Sequence, residues 1–260
     1  TNYKDAGLGL HGEVCFLPWQ YKIVEDSVNE LKIEFFVRMR RTPFFVLKQI
    51  RIKSYNPVIE FTEKIINEGN EEFMFMWGQH PAIGIPFLSE DCVIDLPEGI
   101  IGHTYDKDFS GNSILPLDTE FKWPNLKLKN GKNIDISKIL PPDTKTAFCL
   151  SLKNFKEGWY GITNKNLSLG FGMKWDVNIF KYVWIWAVYR GYFNFPFYGR
   201  TNNIALELWS AVPDNLDDVI KSGRELILKP MCELTTKYKI IIYNTKHRIK
   251  GFDSEDKIIT

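Results

Sequence analysis

Cysteine, alanine, histidine and long apolar runs are all scarce in this sequence of 260 residues. The longest apolar run, Tyr182 to Tyr189, is well short of the roughly 20 residues that a membrane-spanning helix needs, so we expect no membrane partner. The cysteines stand singly, with no pair at redox or zinc-binding spacing, and this argues against a disulfide framework. We therefore expect a reducing, cytoplasmic setting. The cysteines are Cys15, Cys92, Cys149 and Cys232.

An excess of either charge is also missing. Lysine and arginine (33) nearly balance aspartate and glutamate (32), giving a formal net charge of +1, so nothing indicates a nucleic-acid partner. The chain opens at Thr1 with no charged-then-apolar leader. We expect no signal peptide, and we expect that the natural chain can extend further upstream.

What the sequence has in abundance is strand-forming residues. Aromatic residues reach 15%, whereas alanine occurs six times. Apolar and polar residues alternate over 32–38, 46–53 and 58–65, which is typical of strands with one face in a core and the other in water. Turn-forming clusters separate these runs. The pattern predicts an all-β protein, a large antiparallel β-sandwich, with one short helix from Asp214 to Lys221.

The least regular stretch runs from Ile101 to Asp143 and is rich in Asp, Asn, Lys, Gly and Pro. A linker between two domains is one interpretation, and an excursion from a single sandwich is the other. Alternation resumes at 146–152 and again at 239–244, so both halves can belong to one pair of sheets. We therefore predict a single domain over residues 1–260.

Three residues stand out chemically. His80 lies where an apolar strand meets a Gly/Pro break, at the rim of a sheet where a ligand can reach an imidazole. His11 lies between glycines that allow close approach of a ligand. Glu207 interrupts an apolar strand, and burial there would raise its pKa into the range useful for a general base, unless Arg200 pairs with it.

The order of several short motifs resembles that of the galactose mutarotase-like, or aldose 1-epimerase, superfamily. The resemblance covers nearly the whole chain, although each motif is short. The motifs are His11-Gly12, Asn67-Glu68-Gly69, Trp77-Gly78-Gln79-His80-Pro81, Ala205-Leu206-Glu207 followed by Pro213, and Leu226 to Pro230 followed by Lys239 to Tyr243.

The resemblance implies a β-sandwich that binds a sugar on one sheet. It implies that His80 is the general acid, that Glu207 is the base at the anomeric hydroxyl, and that His11 contacts the sugar. The family's sugar-binding arginine, upstream of the His-Gly motif, has no counterpart here. For its middle aspartate we name Asp176, with Asp118 as the other candidate.

Aromatic rings stack on the apolar faces of sugars. We therefore predict Trp186 as a sugar-binding residue, chosen from the candidates Trp19, Trp77, Trp184 and Trp186, and we add Arg200 to the binding set. No His-x-His or His-x-x-x-His spacing offers a metal site, so we expect neither a metal nor another cofactor.

The leading hypothesis is an aldose mutarotase acting on a small sugar. A non-catalytic carbohydrate-binding module is the first alternative. A mutarotase for a phosphorylated or acidic sugar is the second, and its anion site would come from Arg38, Arg40, Arg41 and Arg51. The sequence leaves the sugar and the oligomeric state open.

Overall fold

A computed structural model describes residues 2–260 of the chain. Strands account for 47% of the residues and helix for 3%, which confirms the all-β prediction. The strands are β1 Asn2–Tyr3, β2 Ala6–Gly7, β3 Gln20–Asp26, β4 Glu30–Arg38, β5 Phe44–Lys53, β6 Val58–Asn67, β7 Phe73–Phe75, β8 Gly78–Gln79, β9 Ala82–Gly84, β10 Cys92–Asp95, β11 Ile101–Thr104, β12 Glu120–Lys122, β13 Asn125–Lys127, β14 Asn133–Asp135, β15 Thr146–Lys153, β16 Trp159–Asn164, β17 Leu169–Trp175, β18 Tyr182–Tyr189, β19 Asn202–Trp209, β20 Leu226–Leu228, β21 Glu233–Tyr243, β22 Gly251–Phe252 and β23 Ile258–Ile259.

The predicted helix exists but begins later than expected. Helix α1 spans Leu216–Lys221, whereas the sequence pattern placed its start at Asp214. Asn215 is extended, and its side chain accepts a hydrogen bond from the backbone N–H of Asp218, so Asn215 is the N-cap. A 3-10 helix covers Pro142–Thr144. No helix within residues 2–260 combines the length and apolarity needed to cross a membrane.

The chain divides into two compact units. The first unit comprises Thr1–Trp77, Lys174–Ile179 and Ser210–Ile241. The second unit comprises Gly78–Met173, Phe180–Trp209 and Ile242–Thr260. The single domain over 1–260 remains a prediction.

The first unit is built on an antiparallel sheet in which β21, β6, β5, β4 and β3 are successive neighbours. The alternating segments of the sequence became β4, β5 and β6. Alternate residues of β5 and β6, including Val46 and Ile65, are buried. Phe44 contacts the rings of Phe73 and Phe75, which extends this core.

The second unit contains a sheet in the order β12, β11, β15, β18, β19 and β8, with β9 also paired to β19. The Ile101–Asp143 stretch lies inside this unit, because β11 pairs with both β12 and β15. It is therefore not a linker between the two units. One face of the sheet is core, since every second residue of β18 and β19 is fully buried, as Val183, Ile185, Leu206 and Leu208 show.

A buried phenol links the middle of β19 to β16, a strand of a different sheet. The hydroxyl of Tyr160, a residue with no exposed surface, donates to the backbone carbonyl of Leu206 at 3.2 Å. Burial and the nearby carboxylate of Glu207 raise the pKa of Tyr160 well above its usual value, so the phenol stays neutral.

Tyr160→Phe should lower the free energy of unfolding by about 1 kcal/mol, because the carbonyl loses its donor while the ring still fills the core. Chemical denaturation of the variant and the wild type measures the difference. Unchanged stability would show that this hydrogen bond does not hold β19.

Candidate active site

Glu207 lies near the end of β19, on the face opposite the core residues Leu206 and Leu208. Successive side chains of a strand point to opposite faces, so Ala205 and Trp209 share the face of Glu207. Although it lies on the face opposite the core, Glu207 is buried, with only 5% of its surface exposed. A carboxylate buried to this degree requires hydrogen-bond partners.

His80 lies directly across from Glu207 by strand register. Gln79 pairs with Leu208 and Ala82 pairs with Ala205, so continuing the same register places His80 opposite Glu207. The pairing with β19 is interrupted at His80 and Pro81, between β8 and β9, and proline cannot donate a ladder hydrogen bond. The Gly/Pro break of the sequence thus places the imidazole beside the carboxylate.

The two side chains form a direct pair. His80 Nε2 lies 3.1 Å from Glu207 Oε1, and the second carboxylate oxygen, Oε2, accepts a hydrogen bond of 2.9 Å from the indole N–H of Trp209. The His80 side chain is 34% exposed and the Glu207 side chain 6%. A ligand can therefore reach the imidazole from solvent, while the buried carboxylate is held by the hydrogen bond from Trp209.

Burial reverses the usual order of the two pKa values. It raises the pKa of Glu207 to about 7, against the opposing effect of the Trp209 hydrogen bond. Burial also lowers the pKa of His80 below its usual 6.5, because the imidazolium is poorly solvated. Near neutral pH the pair can thus hold one proton, as a general acid paired with a general base must.

Aromatic side chains surround the pair on this face of the sheet. Trp184 pairs with Glu207 across β18 and β19, and the rings of Trp184 and Trp209 are 6.1 Å apart. Trp186, two residues further along β18, lies 5.8 Å from the His80 ring and 5.5 Å from Phe197. Both β18 tryptophans are half-buried, so this face offers ring surface next to the acid/base pair.

The alternative pairing of Glu207 with Arg200 is wrong. The carboxylate is bonded to His80 and Trp209, and the exposed guanidinium of Arg200 lies 5.6 Å from the ring of Tyr198. Arg200 precedes Glu207 by seven residues and lies just before β19 begins at Asn202. An extended chain covers about 3.3 Å per residue, so Arg200 is far from Glu207 along the chain direction. Its role in sugar binding remains a prediction.

His11 and Asp176 belong to the first unit. His11 is exposed and has a positive φ of 59°, followed by Gly12 with a φ of 69°, so the motif is a tight turn. Asp176 is exposed and accepts hydrogen bonds from the backbone and side chain of Asn178. The carboxylate of the other candidate, Asp118, lies 3.3 Å from His103 Nε2. The sugar contacts of His11 and Asp176 remain predictions.

Trp77 is not available as a sugar platform. Its ring is buried in the first unit, and its N–H donates to Glu63 at 3.1 Å. Lys48 and the hydroxyl of Tyr238 also bond to Glu63, at 2.6 and 2.9 Å. Trp77 therefore belongs to a buried polar network around Glu63. The residues next to Trp77 in the sequence are mostly apolar, so the sequence does not predict this network.

Two of the arginines considered for an anion site are engaged by glutamates. Arg38 forms a forked pair with Glu68, and Arg51 forms one with Glu30 while its remaining nitrogen lies 3.3 Å from Glu60. A forked guanidinium bound to a carboxylate is not free to bind a phosphate in the same geometry. These contacts occupy two of the four arginines that the phosphorylated-sugar alternative requires.

Sequence reasoning missed the contact between Trp209 and Gly78. A Cβ atom on Gly78 would lie 2.5–2.7 Å from ring atoms of Trp209, so the indole occupies space that only glycine leaves. The two residues face each other across β8 and β19. Period 2 already placed Trp209 on the face of Glu207, but the pairing with Gly78 needs the sheet register.

No protein-family model and no curated protein matches the sequence. Solved structures do match it. A Synechocystis protein is similar at a TM-score of 0.64 and 13% identity, over 94% of this chain and 73% of the other. A candidate aldose 1-epimerase from Klebsiella pneumoniae gives 0.63 and 11%, over 88% of this chain and 54% of the other.

A galactose mutarotase-like protein from Lactobacillus casei gives a TM-score of 0.61 at 12% identity, over 92% of this chain and 77% of the other. Identities this low establish the fold alone. The chain therefore has the galactose mutarotase-like β-sandwich fold, as the motif resemblance implied. It spans about half the length of the Klebsiella pneumoniae protein.

Proposed function

We propose that this chain is an aldose mutarotase that needs no cofactor and interconverts the anomers of a small sugar. The observation that carries the proposal is the direct His80–Glu207 pair, 3.1 Å apart and flanked by tryptophan rings on one face of a sheet. The names of the structural neighbours support the same reaction class.

The chemistry of the sugar explains why acid and base must be adjacent. The anomeric hydroxyl and the ring oxygen are both attached to carbon 1, so groups that serve them must lie side by side. Glu207 accepts the proton of the anomeric hydroxyl while His80 donates a proton to the ring oxygen. The bond between carbon 1 and the ring oxygen breaks, and an open-chain aldehyde forms.

Reclosure restores both groups. After rotation about the bond between carbons 1 and 2, the former ring hydroxyl attacks the other face of the aldehyde and returns its proton to His80. The new anomeric oxygen takes the proton held by Glu207. The cycle consumes no net proton and forms no covalent intermediate, so the pair and its pKa values are sufficient.

The test is anomer exchange measured by NMR on a panel of free aldohexoses and one hexose 6-phosphate. We expect acceleration over buffer for at least one free aldose. Acceleration confined to the phosphate ester would shift the proposal to the phosphorylated-sugar alternative. Calorimetric binding of a sugar with no exchange would instead leave a carbohydrate-binding module.

Trp186→Ala should raise KM by about 2- to 13-fold with a smaller change in kcat, because a stacked ring contributes about 0.5–1.5 kcal/mol of contact. Trp186→Phe keeps an aromatic face and should recover much of this loss. Steady-state kinetics of both variants measure the difference. Equal KM values for wild type and Trp186→Ala would remove Trp186 from the binding set.

A further inference from the structure

We propose that Trp209, seated against Gly78, is a positioning residue that orients the carboxylate of Glu207. This inference rests on the proposed function, because it concerns how the proposed base is held. It goes beyond that function by giving roles to two residues outside the acid/base pair.

The two oxygens of Glu207 are divided between two partners. The indole N–H of Trp209 donates to Oε2 at 2.9 Å, and Oε1 faces His80 at 3.1 Å. A rigid donor on Oε2 restricts the rotation of the carboxylate, since the indole has a single N–H in a fixed direction. Oε1 is thereby directed to the side where the acid, and so the substrate, must lie.

Gly78 fixes the indole in turn. It lies opposite Trp209 in the β8–β19 ladder, and directly opposite side chains share a face. Any Cβ at position 78 would come within 2.5–2.7 Å of the Trp209 ring, so a larger residue must displace the ring. Gly78, the glycine of the Trp-Gly-Gln-His-Pro motif, therefore leaves the space in which Trp209 can lie and hydrogen-bond to Glu207.

Two titratable groups of the second unit interact with Glu207. His80 lies 3.1 Å away, and the pKa of the buried phenol of Tyr160 is raised in part by the charge of Glu207. Opposite Glu207 on β18 is Trp184, which does not titrate. Trp209 acts on the ionised form, because a hydrogen bond to a carboxylate favours the charged state.

The test is the ionisation of Glu207, read by infrared spectroscopy. The carbonyl stretch of its protonated carboxyl is isolated by subtracting the spectrum of Glu207→Gln and is followed against pH. Trp209→Phe removes the N–H but keeps a ring, so the pKa of Glu207 should rise by about one unit. Gly78→Ala keeps the N–H but displaces the ring, and it should shift the pKa in the same direction.

Trp159→Phe is the matched control. The indole N–H of Trp159 is buried in the same unit but has no hydrogen-bond partner among the described residues. The same change of ring there should leave the pKa of Glu207 unchanged. Adding Gly78→Ala to Trp209→Phe should give no further shift, because the hydrogen bond is already absent.

An unchanged pKa of Glu207 in folded Trp209→Phe would overturn the proposal. If that variant does not fold, Gly78→Ala decides the question by the same criterion. A shifted pKa without anomer exchange in the wild type would refute the proposed function and leave the positioning role standing. Anomer exchange with no shift in either variant would do the opposite.

Discussion

Glu207→Gln should lower kcat for anomer exchange by about 10²- to 10⁴-fold, the usual contribution of a positioned proton acceptor. Glutamine matches glutamate in size and can still accept a hydrogen bond from Trp209 through its amide oxygen. It cannot take the proton of the anomeric hydroxyl near neutral pH. NMR exchange spectroscopy at saturating sugar measures the loss.

KM should change little in this variant, because the substitution removes proton transfer and keeps the shape of the site. Glu120→Gln is the control. Glu120 is an exposed acid of the same unit, paired with Lys153 at 2.7 Å, and its loss should leave kcat unchanged. Full activity in Glu207→Gln would show that another group is the base.

The fold could be predicted because apolar and polar residues alternate along strands that bury one face and expose the other. The segments read as strands became β4, β5 and β6, with Val46 and Ile65 on the buried side as period 2 requires. The helix start was wrong by two residues because Asn215, and not Asp214, caps α1. Both residue types favour that position, so local sequence does not separate them.

The site was only partly predictable. Glu207 and His80 were anomalous as isolated residues, yet their contact depends on the register between segments more than 120 positions apart, which no local pattern contains. For the same reason the space that Gly78 leaves for Trp209 was not foreseen. Arg200 was proposed as a partner of Glu207 on charge alone, and charge does not show that Arg200 lies before the extended strand β19 while His80 lies beside Glu207.

Replacing His80 with asparagine should also lower kcat by about 10²- to 10⁴-fold and should change the shape of the pH profile. The working form of the pair carries one proton, with Glu207 ionised and His80 protonated. A second proton at low pH neutralises the base, and loss of the last proton at high pH removes the acid. The wild-type profile of kcat/KM should therefore be bell-shaped.

Burial determines the width of this bell. With unperturbed groups the active range would lie between about 4.3 and 6.5, the ordinary pKa values of glutamic acid and histidine. Here burial raises the pKa of Glu207 to about 7 and lowers that of His80, so the order of the two pKa values is reversed. The form with Glu207 ionised and His80 protonated is then a minority of the singly protonated pair, and the bell should be narrow, with its maximum near neutral pH. Because the groups are in contact, each limb belongs to the pair and not to one residue.

In His80→Asn the pair no longer exists, so the remaining activity should rise once with pH and then stay level. The midpoint of that rise should report Glu207 alone, near the value of about 7 that burial gives it. The alkaline limb should be absent, since asparagine has no proton to lose. A variant that is slow but retains the wild-type alkaline limb would assign the acid role to another residue, and His11 would then be the first to replace.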